Sequence, residues 1–383
     1  KGQRALAASP HDHARFATSE HQHDHDDHIH EDRYHIPRGF LQSARLGVRV
    51  KPASISIVLP VHNAQDTLHQ ALKSVLRSSG DLEVVVIDDG STDGSGGIAD
   101  MIADRDPRVR VIHTSHHGLI DALNTGIEEA RCDWILRMDA DDIAHSERLE
   151  SYRQYIAAHP EVDILGSLIR YFPRRSLKDG LIAYEQWVNS VRTHEDIVRD
   201  MFVECPIPHP TLAARKTDII EVGGYCDNGF PEDYDLVLRY WERGKVFAKI
   251  PKRLLFWRDS PDRLSRMHPR YGIDRFMALK VAALKRTLLR DREAVVSAAG
   301  PVGKAFAREL MTQNIRVIAF LEVDPDKIGN VVYDIPVLPV EKARDIKGPL
   351  ICHAVGQKNG REQGRQLYTS WGLCEGRDFV CVS

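Results

Sequence analysis

No apolar run in the 383-residue chain approaches the roughly 20 residues that a membrane-spanning helix requires. The first residues also lack the apolar centre of a secretory signal, so the expected location is the cytoplasm, with at most a peripheral contact at the inner face of a membrane. Cysteine is sparse: Cys132, Cys205, Cys226, Cys352, Cys374 and Cys381 form no CxxC pair and no framework spacing. That argues against a disulfide scaffold or a cysteine zinc site, and it suits a reducing compartment. A large charge excess is missing too, because the formal net charge is −3 with no strongly basic region in the sequence. A nucleic-acid partner held by phosphate neutralisation is therefore not expected. What is present, 42% hydrophobic and 28% charged residues, is enough for a sizeable core, and the length suggests two or three domains.

Three regions differ in texture. Residues 1–50 carry eight histidines, from His11 to His35, among Asp and Glu with no apolar period. They read as a mostly disordered tail that imidazole and carboxylate would let hold a divalent transition metal loosely. Residues 51–290 alternate strand and helix signals. The run Ser54 to Pro60 is apolar and β-branched, and Leu68, Leu72, Val75 and Leu76 then recur at helical spacing. Further strands are expected at 83–87, 109–113 and 134–138, with helices between them, which points to an α/β fold with a mostly parallel sheet. Residues 263–289 read as helical with a break near Pro269 to Gly272. Residues 291–383 read as a second, smaller α/β unit.

In open α/β sheets ligands bind beyond the carboxyl ends of the strands. Acidic segments stand there. Asp88-Asp89-Gly90-Ser91 follows the second strand, where carboxylates can accept from a base N–H or a ribose hydroxyl. Asp and Ser equally suit turns and caps, so Asp88, Asp89 and Asp93 read either way on their own. Asp139-Ala140-Asp141 follows the fourth strand. On an extended chain its two carboxylates share one side, suited to Mg²⁺ or Mn²⁺ with coordination sites left for a diphosphate.

The ordered motifs Ile57 to Asn63, Val86 to Asp93, Ala122 to Ile127, Arg137 to Asp142 and the run His209-Pro210-Thr211, Gly223-Gly224-Tyr225, Glu232 to Leu236 resemble family 2 glycosyltransferases of the GT-A fold. The resemblance covers roughly residues 54–270. It implies an inverting, metal-dependent transfer of a sugar from a nucleotide sugar, expected to be a UDP-sugar, to a hydroxyl of a glycan or lipid-linked acceptor, in surface glycan or polysaccharide biosynthesis. Asp89 would contact the base, with Pro60, His62 and Asn63 beside it. Asp139 would serve the ribose and metal, and Asp141 would be the more direct metal ligand; Asp142 receives no role. Glu232-Asp233 matches the family's acidic pair, in which the Asp takes the acceptor proton. A first-turn pair complementing a helix dipole is the alternative. His209 is an acceptor-side candidate or a structural histidine. The family's usual His near Trp257-Arg258 is replaced by Ser260, which leaves His268 as the candidate third metal ligand.

The second unit carries Ala298-Ala299-Gly300-Pro301-Val302-Gly303 after a strand, with Glu322 some 19 residues on. This is close to a Rossmann dinucleotide layout, but its first glycine is Ala298. It resembles Rossmann-like domains appended to some bacterial sugar-modifying enzymes. A packing or oligomerising role is expected there before NAD(P) binding. Two rival functions make different demands on these residues. A sugar nucleotidyltransferase would need a Gly-rich, Lys- or Arg-bearing loop after the first strand, which Pro60-Val61-His62-Asn63 does not supply. A non-catalytic nucleotide-binding module would tolerate loss of Asp139, Asp141 and Asp233.

Overall fold

The computed structural model describes residues 53–78, 81–357 and 359–383. The histidine-rich tail expected at 1–50 lies outside them. The first sheet contains β1 (Ile55–Val61), β2 (Glu83–Asp89), β3 (Val109–Thr114), β4 (Trp134–Arg137), β5 (Ile143–Ala144), β6 (Ile164–Phe172), β7 (Ala213–Arg215) and β8 (Phe247–Arg258). Their order is β3-β2-β1-β4-β7-β6-β8-β5. The β3-β2-β1-β4 half is parallel, and β7 joins it to β6 by antiparallel pairs. This is the α/β, mostly parallel architecture expected of the GT-A type.

Every residue of β1 is buried, which explains why all but Ser56 are apolar: helices cover both faces of a parallel strand. The helix Leu68–Leu76 buries Leu68, Ala71, Leu72 and Val75 on one side of the sheet. The helix Leu119–Glu129 packs on the other so closely that a Cβ on Gly126 would stand 2.4 Å from Val58 Cγ1. Close packing of helix on strand fixes where β1, β2 and β4 end, and the candidate site lies at those ends.

The second sheet contains β9 (Ala294–Ser297), β10 (Val317–Glu322), β11 (Val331–Val332), β12 (Ile335–Pro339), β13 (Leu350–His353) and β14 (Phe379–Cys381), ordered β11-β12-β10-β9-β13-β14. All its pairs are parallel except β11 with β12. Within the Ala298 to Gly303 segment, Gly300 is the N-cap and Pro301 to Gly303 is the first turn of a helix, Pro301–Thr312. Proline at the first helical position needs no N–H and already has helical φ, so it begins the helix. Glu322 does not stand free for a ribose. One oxygen accepts from Ala299 N–H at 3.0 Å, and the other from Val323 and Asp324 N–H at 2.9 and 3.3 Å. Segments flanking the two sheets touch: Lys280 Nζ donates to the carbonyls of Val203 and Val382 at 2.7 and 3.2 Å, and Arg365 pairs with Asp200 at 2.6 Å.

Candidate active site

The acidic segment after β4 is not extended. Ala140 and Asp141 form a turn, and Asp142 N–H reaches back to Asp139 O at 3.4 Å. The reason is geometric: residues two apart on a strand are separated by about 7 Å, whereas the turn brings carboxylate oxygens of Asp139, Asp141 and Asp142 all within 4.8 Å of one another. Three surroundings distinguish them. Asp139 forms an ion pair at 2.5 Å with Arg137, a buried side chain of β4. Burial opposes the Arg137 charge, but Asp139 more than offsets this and holds its pKa up. Asp141 is pushed up to about 6 by burial and then by the neighbouring Asp139.

Asp142 is fully buried. Its Oδ1 accepts from Arg258 N–H at 2.8 Å, and its Oδ2 has no hydrogen-bond partner among the described residues. Burial, and then Asp139 and Asp141, drive its pKa well upward. The Arg258 side chain, at the end of β8, fixes the turn by donating to Asp141 O at 2.7 Å and Gln70 Oε1 at 3.0 Å. Crowded carboxylates with an unpaired buried oxygen fit a divalent cation, for which carboxylate oxygen is the preferred ligand.

The second strand end is arranged differently. Asp89 is buried and its carboxylate accepts from His117 N–H (2.8 Å), Gly118 N–H (2.9 Å) and His116 Nδ1 (2.9 Å). Asp88 accepts from Ser91 N–H and pairs with His113, and Asp93 accepts from Gln65 and Ser95 N–H. Asp88 and Asp93 thus serve local turns, whereas Asp89 fastens the distant loop at 116–118 to the end of β2. Pro60 is buried near the end of β1. His62 Nδ1 lies 2.8 Å from Asp89 O, and the His62 ring stacks on His116 at 4.0 Å. Asn63, at φ 50°, ties the loops together by accepting from Thr92 N–H at 2.8 Å. His62, Asp89 and His116 form the other cluster of metal-ligating side chains among the described residues.

At the third point the helix Glu232–Glu242 begins with the acidic pair. The two carboxyls part company. Glu232 is 1% exposed, and both its oxygens bond to Tyr271 OH, at 2.8 and 2.7 Å. Asp233 is only partly buried and accepts from its neighbour's N–H, that of Tyr234. Burial and then the adjacent Glu232 raise Asp233 to about 7. His209 is buried beside them, with Nε2 2.8 Å from Tyr225 OH and Nδ1 3.9 Å from Glu232. Burial, with Arg137 behind it, keeps His209 neutral by lowering its pKa far below the usual value. Asn124 clamps Tyr225 through both backbone groups at 2.9 Å, so the distant motifs at 124, 209, 225 and 232 meet in one network.

His268 is not brought to the acidic cluster. Its ring accepts from Arg270 N–H at 3.2 Å, capping the short turn Pro269–Tyr271, and it belongs to neither metal-capable group. Residues without a part in the sequence reading also emerge: Arg137, Asp142, Arg258 and Tyr271. Only Arg137 left a signal, a charge within an apolar strand.

Parallel strands whose carboxyl ends carry convergent acidic and hydrogen-bonding groups define an α/β protein with a polar-ligand site at the strand ends. The sequence pattern of Glycosyl transferase family 2 matches residues 56–224, so that segment is similar to the members of this family. It is 28% identical over 215 residues to the amylovoran biosynthesis glycosyltransferase AmsE of Erwinia amylovora, covering 55% of this chain and 78% of that one. It is 33% identical over 151 residues to an uncharacterised glycosyltransferase of Haemophilus influenzae, covering 39% of this chain and 54% of the other, about half its length. Among solved structures, S. aureus TarS 1–349 in complex with UDP-GlcNAc superposes with a TM-score of 0.49 at 17% identity, over 61% of this chain and 66% of that one. Among the described residues no helix is long and apolar enough to cross a membrane.

Proposed function

We propose that the chain is an inverting glycosyltransferase that moves a sugar from a nucleotide sugar, expected to be a UDP-sugar, to an acceptor hydroxyl in surface glycan or polysaccharide biosynthesis. The observation that carries this reading is the pairing of a cation-deficient carboxylate turn at 139–142 with the partly open, proton-hungry Asp233. Asp139, Asp141 and Asp142 would hold Mn²⁺ or Mg²⁺, which supplies positive charge against the departing nucleoside diphosphate. His62, Asn63 and Asp89 frame the base side of the donor.

Asp233 accepts the proton of the acceptor hydroxyl as its oxygen forms a bond to the anomeric carbon. The bond from that carbon to the diphosphate oxygen breaks in the same step, its electron pair leaves with the diphosphate, and one displacement inverts the configuration. Glu232, sealed against Tyr271, does not take the proton; it raises the basicity of Asp233. Arg137 holds Asp139 in place.

The test is a screen of nucleotide sugars for Mn²⁺- or Mg²⁺-dependent binding and turnover, with Asp141→Asn alongside. Metal-dependent binding lost in the variant supports the proposal. If no nucleotide sugar binds with either metal, or if Asp141→Asn turns over normally, the proposal fails.

A further inference from the structure

A formal charge of −3 conceals a cationic face. A cavity of about 290 Å³ beside the start of β13 is lined by Arg292, Arg344, Lys347, Trp371, Arg377 and Asp378, among others. A shallower depression is lined by Glu242, Lys285, Arg286, Thr287 and Arg290, with Arg290 two residues before Arg292 in sequence. Seven cationic side chains and two carboxylates line the pair of depressions. Both carboxylates are already engaged, Glu242 with Arg286 and Asp378 with Arg377.

The remaining cations lack that compensation and are held in place by other means. Arg292 donates to the carbonyls of Leu288, Gly348, Pro349 and Arg377, which orient its guanidinium without cancelling its charge. Arg344 lies 4.6 Å over the Trp371 ring, a cation–π contact that stiffens its long side chain. Lys347 is exposed, and neither Arg344 nor Lys347 has a carboxylate within ion-pair distance among the described residues. Asp345, the nearest acid in sequence, pairs with Lys342 instead.

We propose that this cavity binds a phosphate-bearing anion. The planar guanidinium fork of Arg344, steadied on Trp371, matches phosphate oxygens in pairs and loses little freedom on binding, while Arg292, its donors largely used by carbonyls, contributes fixed positive charge. The volume lies at the small end of ligand pockets, which suits a phosphate or diphosphate group and not a whole nucleotide sugar. The residues belong to the second unit and the segment at 292 that leads into it, apart from the turn at 139–142. Two sources share this chemistry, the headgroup of an anionic lipid and a soluble phosphate.

The experiment uses the full chain with chelator present and at a pH above the titration range of histidine, so that neither the acidic turn nor the N-terminal histidines can hold the probe. One arm titrates inorganic pyrophosphate by calorimetry; the other sediments the protein with vesicles containing phosphatidylglycerol or phosphatidylcholine alone. The variant is Arg344→Glu with Lys347→Glu, both exposed positions, checked for an unchanged thermal midpoint. Binding to pyrophosphate or to the anionic vesicles is expected, weakening with salt and falling about a hundredfold in the variant. The responding arm identifies the source. If neither probe binds at low salt, or the charge-reversed chain binds as the parent does, the proposal is overturned.

Discussion

Asp233 offers the sharpest test of the proposed chemistry, because its environment sets the pH at which it can work. Burial disfavours its charged form and the adjacent Glu232 adds like-charge repulsion, which together raise it from 3.8 to about 7. If Asp233 takes the acceptor proton, kcat/KM climbs about tenfold per pH unit below about 7 and levels off above it. The assay is the initial rate of sugar transfer at donor concentrations below KM, across about pH 5 to 9. Asp233→Asn removes the base and lowers turnover by about 10²- to 10⁴-fold. Glu232→Gln retains an oxygen to accept from Tyr271 OH while removing the like charge, so the midpoint moves to lower pH. It does not return to 3.8, since burial is the larger cause. The adjacent carboxyls titrate together, so the measured midpoint belongs to the pair. A wild-type midpoint in the ordinary carboxylate range, or undiminished turnover in Asp233→Asn, would refute the assignment.

The same shift has a stability consequence. A carboxyl whose folded pKa exceeds its unfolded one keeps a proton that the unfolded chain has released, so its contribution to stability is lost as pH rises from about 4 through 7. Asp233→Asn should therefore be more stable than the parent above pH ~7 and similar below pH ~4, read as the thermal midpoint at each pH. Arg137→Met strips Asp139 of its buried counterion and is expected to cost about 3 kcal/mol in urea unfolding. Gly126→Ala forces a methyl against Val58 Cγ1, for an expected loss of about 1–3 kcal/mol in the same measurement. With Asp141→Asn, the rise in thermal midpoint that Mn²⁺ or Mg²⁺ gives the parent should be lost, because the cation stabilises only the state that binds it.

The sheet was legible because its physics is local. β1 and β2 are runs of buried β-branched residues, and the helix Leu68–Leu76 repeats its apolar positions with helical spacing. The alternation of such segments leaves few alternatives to a parallel α/β layout. The candidate site was legible only where one strand end supplied it. Asp139 and Asp141 were visible, but an extended reading of their spacing concealed the turn that adds Asp142. Residue separations of 101 between Asn124 and Tyr225, 116 between Asp142 and Arg258, and 39 between Glu232 and Tyr271 put the other contacts beyond any sequence window. His268 misled because residue type was matched without position: its ring serves its own turn. The cationic face shows the same limit, being assembled from 285–292, 344–347 and 377 when no single segment stands out as strongly basic.

Two clusters of metal-ligating side chains stand at the strand ends, and hydrogen bonding separates them. In the His62, Asp89 and His116 group the carboxylate already accepts two backbone N–H groups and a ring nitrogen, and His62 is anchored on Asp89 O. A cation entering there would have to displace bonds that the loop at 115–118 uses to hold its shape. In the 139–142 turn only Asp139 has a full counter-charge, from Arg137. Asp142 keeps one buried oxygen without a partner, and Asp141 and Asp142 are both displaced toward protonation. Uncompensated carboxylates in a low-dielectric turn are costly, and a divalent cation relieves all of them together. The same residue type therefore supports opposite conclusions at the two positions: the hydrogen bonds of Asp89 are already satisfied within the chain, while the 139–142 turn is the better candidate for a cation.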